Sequence, residues 1–277
     1  MAPAHPPETA VPSSSFDPTA LTPTRLLCLQ DAMLRRFSAT VTDIDRGAGT
    51  VILNQTAFYP GGGGQPADSG AITAANGDTW RVTSVTKISG QAVHHVEPDA
   101  ASPHVAWPNP GDIITGEIDW ERRYRLMRTH TALHVLCGVV FHEFVALVTG
   151  GNMAPDRARM DFELEEFTPE RVAAIERRAN EEIAAGHAVV VRTLPRAEAF
   201  AIPDLLRTKI NLLPEGITEI RIVEIVGLDL QADGGTHVAN TLDVGGIKVV
   251  GTRSKGRLNK RIEIVLTGGD GDEPTSS

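Results

Sequence analysis

Cysteine is nearly missing. Cys28 and Cys137 are the only two in 277 residues, far apart and on segments that read as a strand and a helix, so no disulfide framework is expected and both suit reduced thiols. A basic surplus is missing too: 26 Lys and Arg face 35 Asp and Glu, for a net charge of -9. That balance argues against a protein coating nucleic acid through its overall charge, and any phosphate contact must come from a local basic patch. No stretch approaches the roughly 18 apolar residues of a membrane span. No basic region followed by an apolar run and a cleavage site opens the chain, so a soluble, cytoplasmic protein is expected. What the chain does have is bulk: with 41% hydrophobic residues it can bury a substantial core, and its length fits two medium domains.

Residues 1–24, rich in Pro, Ala, Ser and Thr, read as a disordered arm, and residues 268–277 as a loose acidic tail. Between 25 and 118, short β-type runs at 39–43, 50–53, 80–87, 91–96 and 112–118 alternate with turn signals, the pattern of a small β-barrel. His94 and His95 are neighbours on one such run and so face opposite sides of it. The period changes at Asp119. From 120 to 148, Leu126, Leu133, Leu136, Cys137, Val140, Phe141 and Phe144 recur at three- and four-residue steps, which predicts a long helix with one buried side. A second helix is framed by Thr168 as N-cap, Pro169 at its first position and Gly186 as its stop. Strands are expected at 159–164, 188–193, 217–225, 236–239, 246–251 and 261–266. The second unit, 119–267, is therefore α+β.

Two clusters carry chemistry. His130 and His134 are four apart on the first helix, hence on one face with Cβ atoms roughly 6 Å apart, close enough for two imidazoles to share an ion at bond lengths of about 2 Å. About a hundred residues on, Asp233-Gly234-Gly235-Thr236-His237 offers another imidazole and a carboxylate at the same spacing. A catalytic zinc takes three protein ligands and lowers the pKa of a water to about 7. His130, His134 and His237 supply three donors, and Asp233 is either a fourth or an orienting group behind them. Gly234 and Gly235 are expected to serve a tight turn through positive φ. The zinc-peptidase pattern needs Glu directly after the first His, and Thr131 stands there, which favours an ester over a peptide as substrate. His142 lies off this face and is read as a core or surface residue.

A third feature is the run Phe58-Tyr59-Pro60-Gly61-Gly62-Gly63-Gly64-Gln65-Pro66-Ala67-Asp68. It lacks the Gly-Lys-Ser/Thr of a phosphate-binding loop, and reads either as a wide hairpin turn or as a shaped polar loop bringing bare backbone close to a partner. Basic residues gather at Arg122, Arg123, Arg125 and Arg128, and again through 253–261, flanking the candidate site on both sides and favouring an anionic ligand.

On these residues the chain resembles the AlaX family, the free-standing relatives of the alanyl-tRNA synthetase editing domain. The resemblance spans about 25–266 and rests on Phe58-Tyr59-Pro60 with its glycines and Gln65-Pro66-Ala67-Asp68, His130-x-x-x-His134, Asp156-x-Ala158-Arg159-Met160-Asp161-Phe162, Gly234-Gly235-Thr236-His237-Val238 and Ser254-Lys255-Gly256. It implies a small β-barrel followed by an α+β editing domain, and a Zn2+ ion held by His130, His134 and His237. It also implies hydrolysis, in trans, of tRNA(Ala) mischarged with serine or glycine. One position departs from the family: Asp233 stands where the usual ligand is Cys, a harder donor that also admits Mn, Fe or Co. In this frame Gly62, Gly63, Gly64 and Gln65 match the loop that approaches the site. Thr131 and Thr149 are candidates to test for the serine hydroxyl, and Arg122, Arg125, Lys255 and Arg257 for phosphate contacts that weaken with salt. Two other readings stay open at this point: a noncatalytic tRNA-binding protein with a structural metal, and a zinc hydrolase of a small ester or amide.

Overall fold

A computed structural model describes residues 22–99, 106–209 and 216–268. The expected arm lies outside the described residues except at its end, where the reading needs correcting. Thr24 is buried and its Oγ1 sits 3.0 Å from both the Leu53 carbonyl and Gln91 Oε1, so the chain is already tied down there. The expected tail lies outside the described residues beyond Gly268.

The first half consists of β1 (Arg25–Leu26), β2 (Arg36–Asp45), β3 (Thr50–Leu53), β4 (Gln55–Thr56), β5 (Gly70–Ala74), β6 (Thr79–Ile88), β7 (Gln91–Pro98) and β8 (Ile113–Ile118). Six of them close a barrel in the order β2-β3-β7-β6-β5-β8, while β1 and β4 form a short parallel pair. The cause is the two-residue period: on β2 from Arg36 to Val41 and along β8 every second residue is buried, and the inward side chains, with Trp80, Ile72, Leu53, Phe58 and Ile114 almost fully enclosed, fill the interior. β5 was not among the expected strands. Its Gly-Ala-Ile-Thr-Ala sequence carries one large apolar residue, too few for an alternation to show.

His94 faces the inside of this wall, fully buried, with Nε2 2.9 Å from Thr56 Oγ1 and Nδ1 3.1 Å from the Val51 carbonyl. Burial pushes its pKa down to about 4 from an ordinary 6.5. Between those values the unfolded chain binds a proton that the folded chain refuses, so stability falls as pH drops through this window, by roughly 3 kcal/mol at pH 4. Denaturant unfolding at pH 7 and pH 4 measures this loss. His94→Gln, neutral at both, is expected to remove about 3 kcal/mol of it, and an equal loss in variant and wild type would show that His94 is not the group responsible.

The second half begins with α1 (Trp120–Phe144), capped by Asp119, whose side chain accepts from the Arg122 N–H. The apolar period runs on to 148, but the helix ends sooner: Val145 adopts φ 54°, and Val148 opens β9 (Val148–Ala154). Ala146 and Val148 stay buried after the turn, which is why periodicity alone overran the end. There follow β10 (Arg157–Phe162), α2 (Pro169–Ala185), β11 (Val189–Pro195), α3 (Arg196–Phe200), β12 (Glu219–Ile225), β13 (Asp229–Ala232), β14 (Gly246–Ser254) and β15 (Lys260–Thr267). α2 has the expected frame, with Thr168 accepting from the Arg171 N–H and Gly186 left-handed at φ 73°. Two antiparallel sheets, β14-β15-β10-β9 and β11-β12-β13, accompany the helices, and the main core gathers α1 side chains such as Leu126, Leu133 and Leu136 with Phe162, Ile175, Ile262 and Ile264. The architecture is the barrel plus α+β unit that the patterns predict. The strand expected at 236–239 is instead an irregular segment, nearly all buried. No helix among the described residues is long and apolar enough to cross a membrane.

Candidate metal centre

α1 supplies His130 and His134, and the segment leaving β13 supplies Asp233 and His237. Their potential ligand atoms all lie within 4.8 Å of one another. Ring centroids are 5.2 Å apart for His130 and His134, 4.2 Å for His130 and His237, and 4.7 Å for His134 and His237. Asp233 Oδ1 is 2.8 Å from His237 Nε2, and Oδ2 is 3.7 Å from His130 Nε2. All three imidazoles are buried, with side-chain exposures of 6% for His130 and His134 and 1% for His237. Neither Gly234 nor Gly235 has a positive φ, so the expected reason for them is wrong. At Gly235 the reason is space: a Cβ there would fall 2.3 Å from His130 Cε1 and 2.6 Å from Gln65 Oε1, and any side chain would push the imidazole out.

The outer nitrogens decide which atoms point inward. Gln65 Oε1 accepts from the Thr236 backbone N–H at 2.9 Å and lies 3.0 Å from His130 Nδ1. A backbone N–H only donates, so the amide oxygen faces both groups, His130 carries its proton on Nδ1, and Nε2 keeps a free lone pair. His237 Nδ1 lies 3.3 Å from Thr131 Oγ1, and His134 Nδ1 lies 3.0 Å from Asp229 Oδ2. All three rings thus spend Nδ1 on the protein, and the Nε2 atoms of His130 and His237 face the Asp233 carboxylate, that of His237 within hydrogen-bond distance of it.

Burial drives the His130 imidazolium well below its ordinary pKa and that of His237 down to about 4, so both stand as neutral donors. Burial also presses on His134, but the hydrogen bond and charge of Asp229 outweigh it and raise its pKa. Asp233, against the pull of its own burial, is held well below the carboxylate range by the imidazoles, His130 foremost. Three imidazole nitrogens and one carboxylate form a donor set suited to a first-row divalent ion. These four residues can hold a metal.

The glycine run resolves as a tight hairpin. Gly62 and Gln65 exchange both backbone hydrogen bonds, at 3.0 and 2.9 Å, around Gly63 at φ 57° and Gly64 at φ 92°, a turn that demands left-handed residues at both corners. Tyr59 Oη braces it by donating to the Gly62 carbonyl at 3.0 Å. The hairpin delivers Gln65, 2% exposed, from the barrel into the second unit, where Nε2 donates to Thr236 Oγ1 at 2.8 Å. Gly62, Gly63 and Gly64 are exposed beside it, whereas Gln65 itself is committed to His130 and Thr236.

Other expected residues sit differently. Thr131 is fully buried, and its oxygen also accepts from the Val238 N–H at 3.3 Å, which makes it a support for His237. Thr149 is exposed and its hydroxyl donates to Asn259 Oδ1 at 3.3 Å, so it is not held in the cluster. The basic run on α1 divides: Arg123 and Arg128 point inward. Arg123 Nε binds both Asp68 oxygens at 3.0 Å, and Arg128 Nη2 binds the Val244 carbonyl at 2.8 Å. Arg122 is half-buried with Nη2 3.2 Å from the Ala67 carbonyl, and Arg125 is exposed and paired with Asp156. Between β14 and β15, Lys255 is exposed with Nζ 3.0 Å from Asp161 Oδ2, and Arg257 is exposed. His142 lies outside the cluster, against the Leu228 carbonyl at 2.8 Å. Asp229 went unnoticed in the sequence, although the alternation Asp229-x-Gln231-x-Asp233 was there to find it.

Two family models match: "tRNA synthetases class II (A)" over residues 28–122 and "Threonyl and Alanyl tRNA synthetase second additional domain" over residues 220–263. The alanyl-tRNA editing protein AlaX-M of Methanosarcina mazei is 39% identical over 244 residues, 88% of this chain and 96% of that protein. AlaX-M of Saccharolobus solfataricus is 37% identical over 240 residues, 86% of this chain and 97% of its own. The alanine–tRNA ligase of Ignicoccus hospitalis is 39% identical over 249 residues, 88% of this chain but only 26% of the ligase. With a similarity that spans nearly the full length on both sides, the chain belongs to the AlaX family of alanyl-tRNA editing proteins.

Proposed function

We propose that this protein is a trans-acting, cytoplasmic aminoacyl-tRNA deacylase that hydrolyses tRNA(Ala) mischarged with serine, and also with glycine, at a site holding one divalent ion, Zn2+ in the first instance. The observation that carries it is the convergence of one potential ligand atom from each of His130, His134, Asp233 and His237 within 4.8 Å, in a chain whose relatives are named alanyl-tRNA editing proteins. An ion held there supplies Lewis acidity toward an ester carbonyl or an attacking water. The chain does the rest. His130, His134, His237 and Asp233 hold the ion, Gln65 and Thr131 fix the orientation of two rings, and the exposed hairpin backbone of Gly62, Gly63 and Gly64 offers a surface to the acceptor end. Arg122, Arg125, Lys255 and Arg257 supply cations for the tRNA backbone.

Metal-replete protein is expected to deacylate Ser-tRNA(Ala) and Gly-tRNA(Ala) while sparing Ala-tRNA(Ala), and to stop when a chelator strips the ion. Absence of deacylation by metal-replete protein rejects the reading. It would favour instead a noncatalytic tRNA-binding protein whose ion is closed off by four protein ligands, Asp233 included. Hydrolysis of small esters that uncharged tRNA fails to inhibit would point to a small-molecule hydrolase.

A further inference from the structure

β13 contributes more to the centre than the ligand that follows it. Alternation along the strand puts Asp229 and Gln231 on one face, and the Asp229 side chain is fully buried with Oδ2 3.0 Å from His134 Nδ1. The same oxygen accepts from Gln231 Nε2 at 2.7 Å, while Oδ1 lies 3.4 Å from Arg207 Nε. Arg207 is itself buried, its guanidinium carbon 3.6 Å from the Phe141 ring centroid. The close contacts of the carboxylate are therefore to the histidine and the glutamine, and the arginine stands at longer range. Among the three groups that meet an Nδ1, Gln65 and Thr131 are neutral and Asp229 alone is charged.

We propose that Asp229 is a positioning residue for the metal centre: its buried carboxylate locks His134 with Nε2 toward the ion and strengthens that imidazole as a donor, with Gln231 and Arg207 holding the carboxylate in place. An imidazole without such a partner can turn over and present either nitrogen. A carboxylate behind it fixes both the ring and the tautomer, and adds electron density to the bound nitrogen. The proposal rests on the reading of His130, His134, Asp233 and His237 as a metal site.

The test is zinc affinity measured by competition with a chromophoric chelator, in wild type, Asp229→Asn and Asp229→Ala. Asparagine keeps the shape and one oxygen acceptor but removes the charge, so its zinc affinity is expected to fall about tenfold, and that of the alanine variant up to about 100-fold. The downfield proton resonance of His134 Nδ1–H in the zinc-loaded protein is expected to move upfield in Asp229→Asn, a change that a loss of stability alone does not produce. Both variants leave Arg207 buried without its counter-charge, so affinities are compared below the unfolding midpoint of each metal-free protein, and if the alanine variant fails to fold, the asparagine variant decides alone. Wild-type zinc affinity and an unmoved proton in Asp229→Asn would overturn the proposal and leave the metal site standing. A wild-type protein that binds no zinc would overturn the metal reading, and this proposal with it.

Discussion

His134→Ala is expected to lower kcat/KM for Ser-tRNA(Ala) deacylation by at least about 10³-fold, equivalent to roughly 4 kcal/mol of lost transition-state stabilisation. The ring is one of three imidazoles around a small space, and its removal leaves two imidazoles and a carboxylate with an open side on α1. Its second effect is on the neighbours: Asp229 loses its 3.0 Å partner but retains Gln231 and Arg207, so the fold is expected to persist while the ion is lost. Metal content by elemental analysis, taken alongside the deacylation rate, separates the two effects. A variant that keeps both a full complement of metal and wild-type turnover would remove His134 from the site.

What could be read in the sequence was what is local. The spacing of His130 and His134, the cap and stop of α2, and the alternation of the barrel strands all express contacts within a few residues, and the structure repeats them. What could not be read depends on partners far away in the chain. Arg122, Arg123, Arg125 and Arg128 look alike as a basic run, yet Arg123 and Arg128 are buried because Asp68 and the Val244 carbonyl come to meet them from 55 and 116 residues away. Gly235 looks like a turn residue, and only the approach of His130 and Gln65 shows that it is there for its missing side chain. Gln65 looked like part of a substrate loop. The 171-residue separation between it and Thr236 hid the contact by which its amide sets the tautomer of His130.

The same kind of hidden contact sets the largest expected change in stability, at Arg123. This side chain is 0% exposed and Asp68 is 1% exposed. Its Nη1 donates to the Ala32 carbonyl at 3.0 Å and its Nη2 to the Ala57 carbonyl at 2.7 Å, so one guanidinium ties α1 to three separate points of the preceding unit. Asp68 is also fixed from its own side, accepting from the Tyr59 N–H at 2.6 Å. Arg123→Met keeps most of the volume but strands a buried carboxylate and two carbonyls, and is expected to cost about 3–5 kcal/mol. Denaturant unfolding measures the loss, and adding Asp68→Leu is expected to return part of it, because an apolar pair leaves no uncompensated charge. A single-variant loss below about 1 kcal/mol would mean that water reaches Asp68 and that the pair is not a buried tie. Asp68 lies three residues beyond Gln65, and Arg123 lies two turns before His130 on α1, so the ion pair also sets where the hairpin meets the helix. Arg123→Met protein that remains folded is therefore expected to lose deacylase activity as well, through a Gln65 amide no longer held against His130.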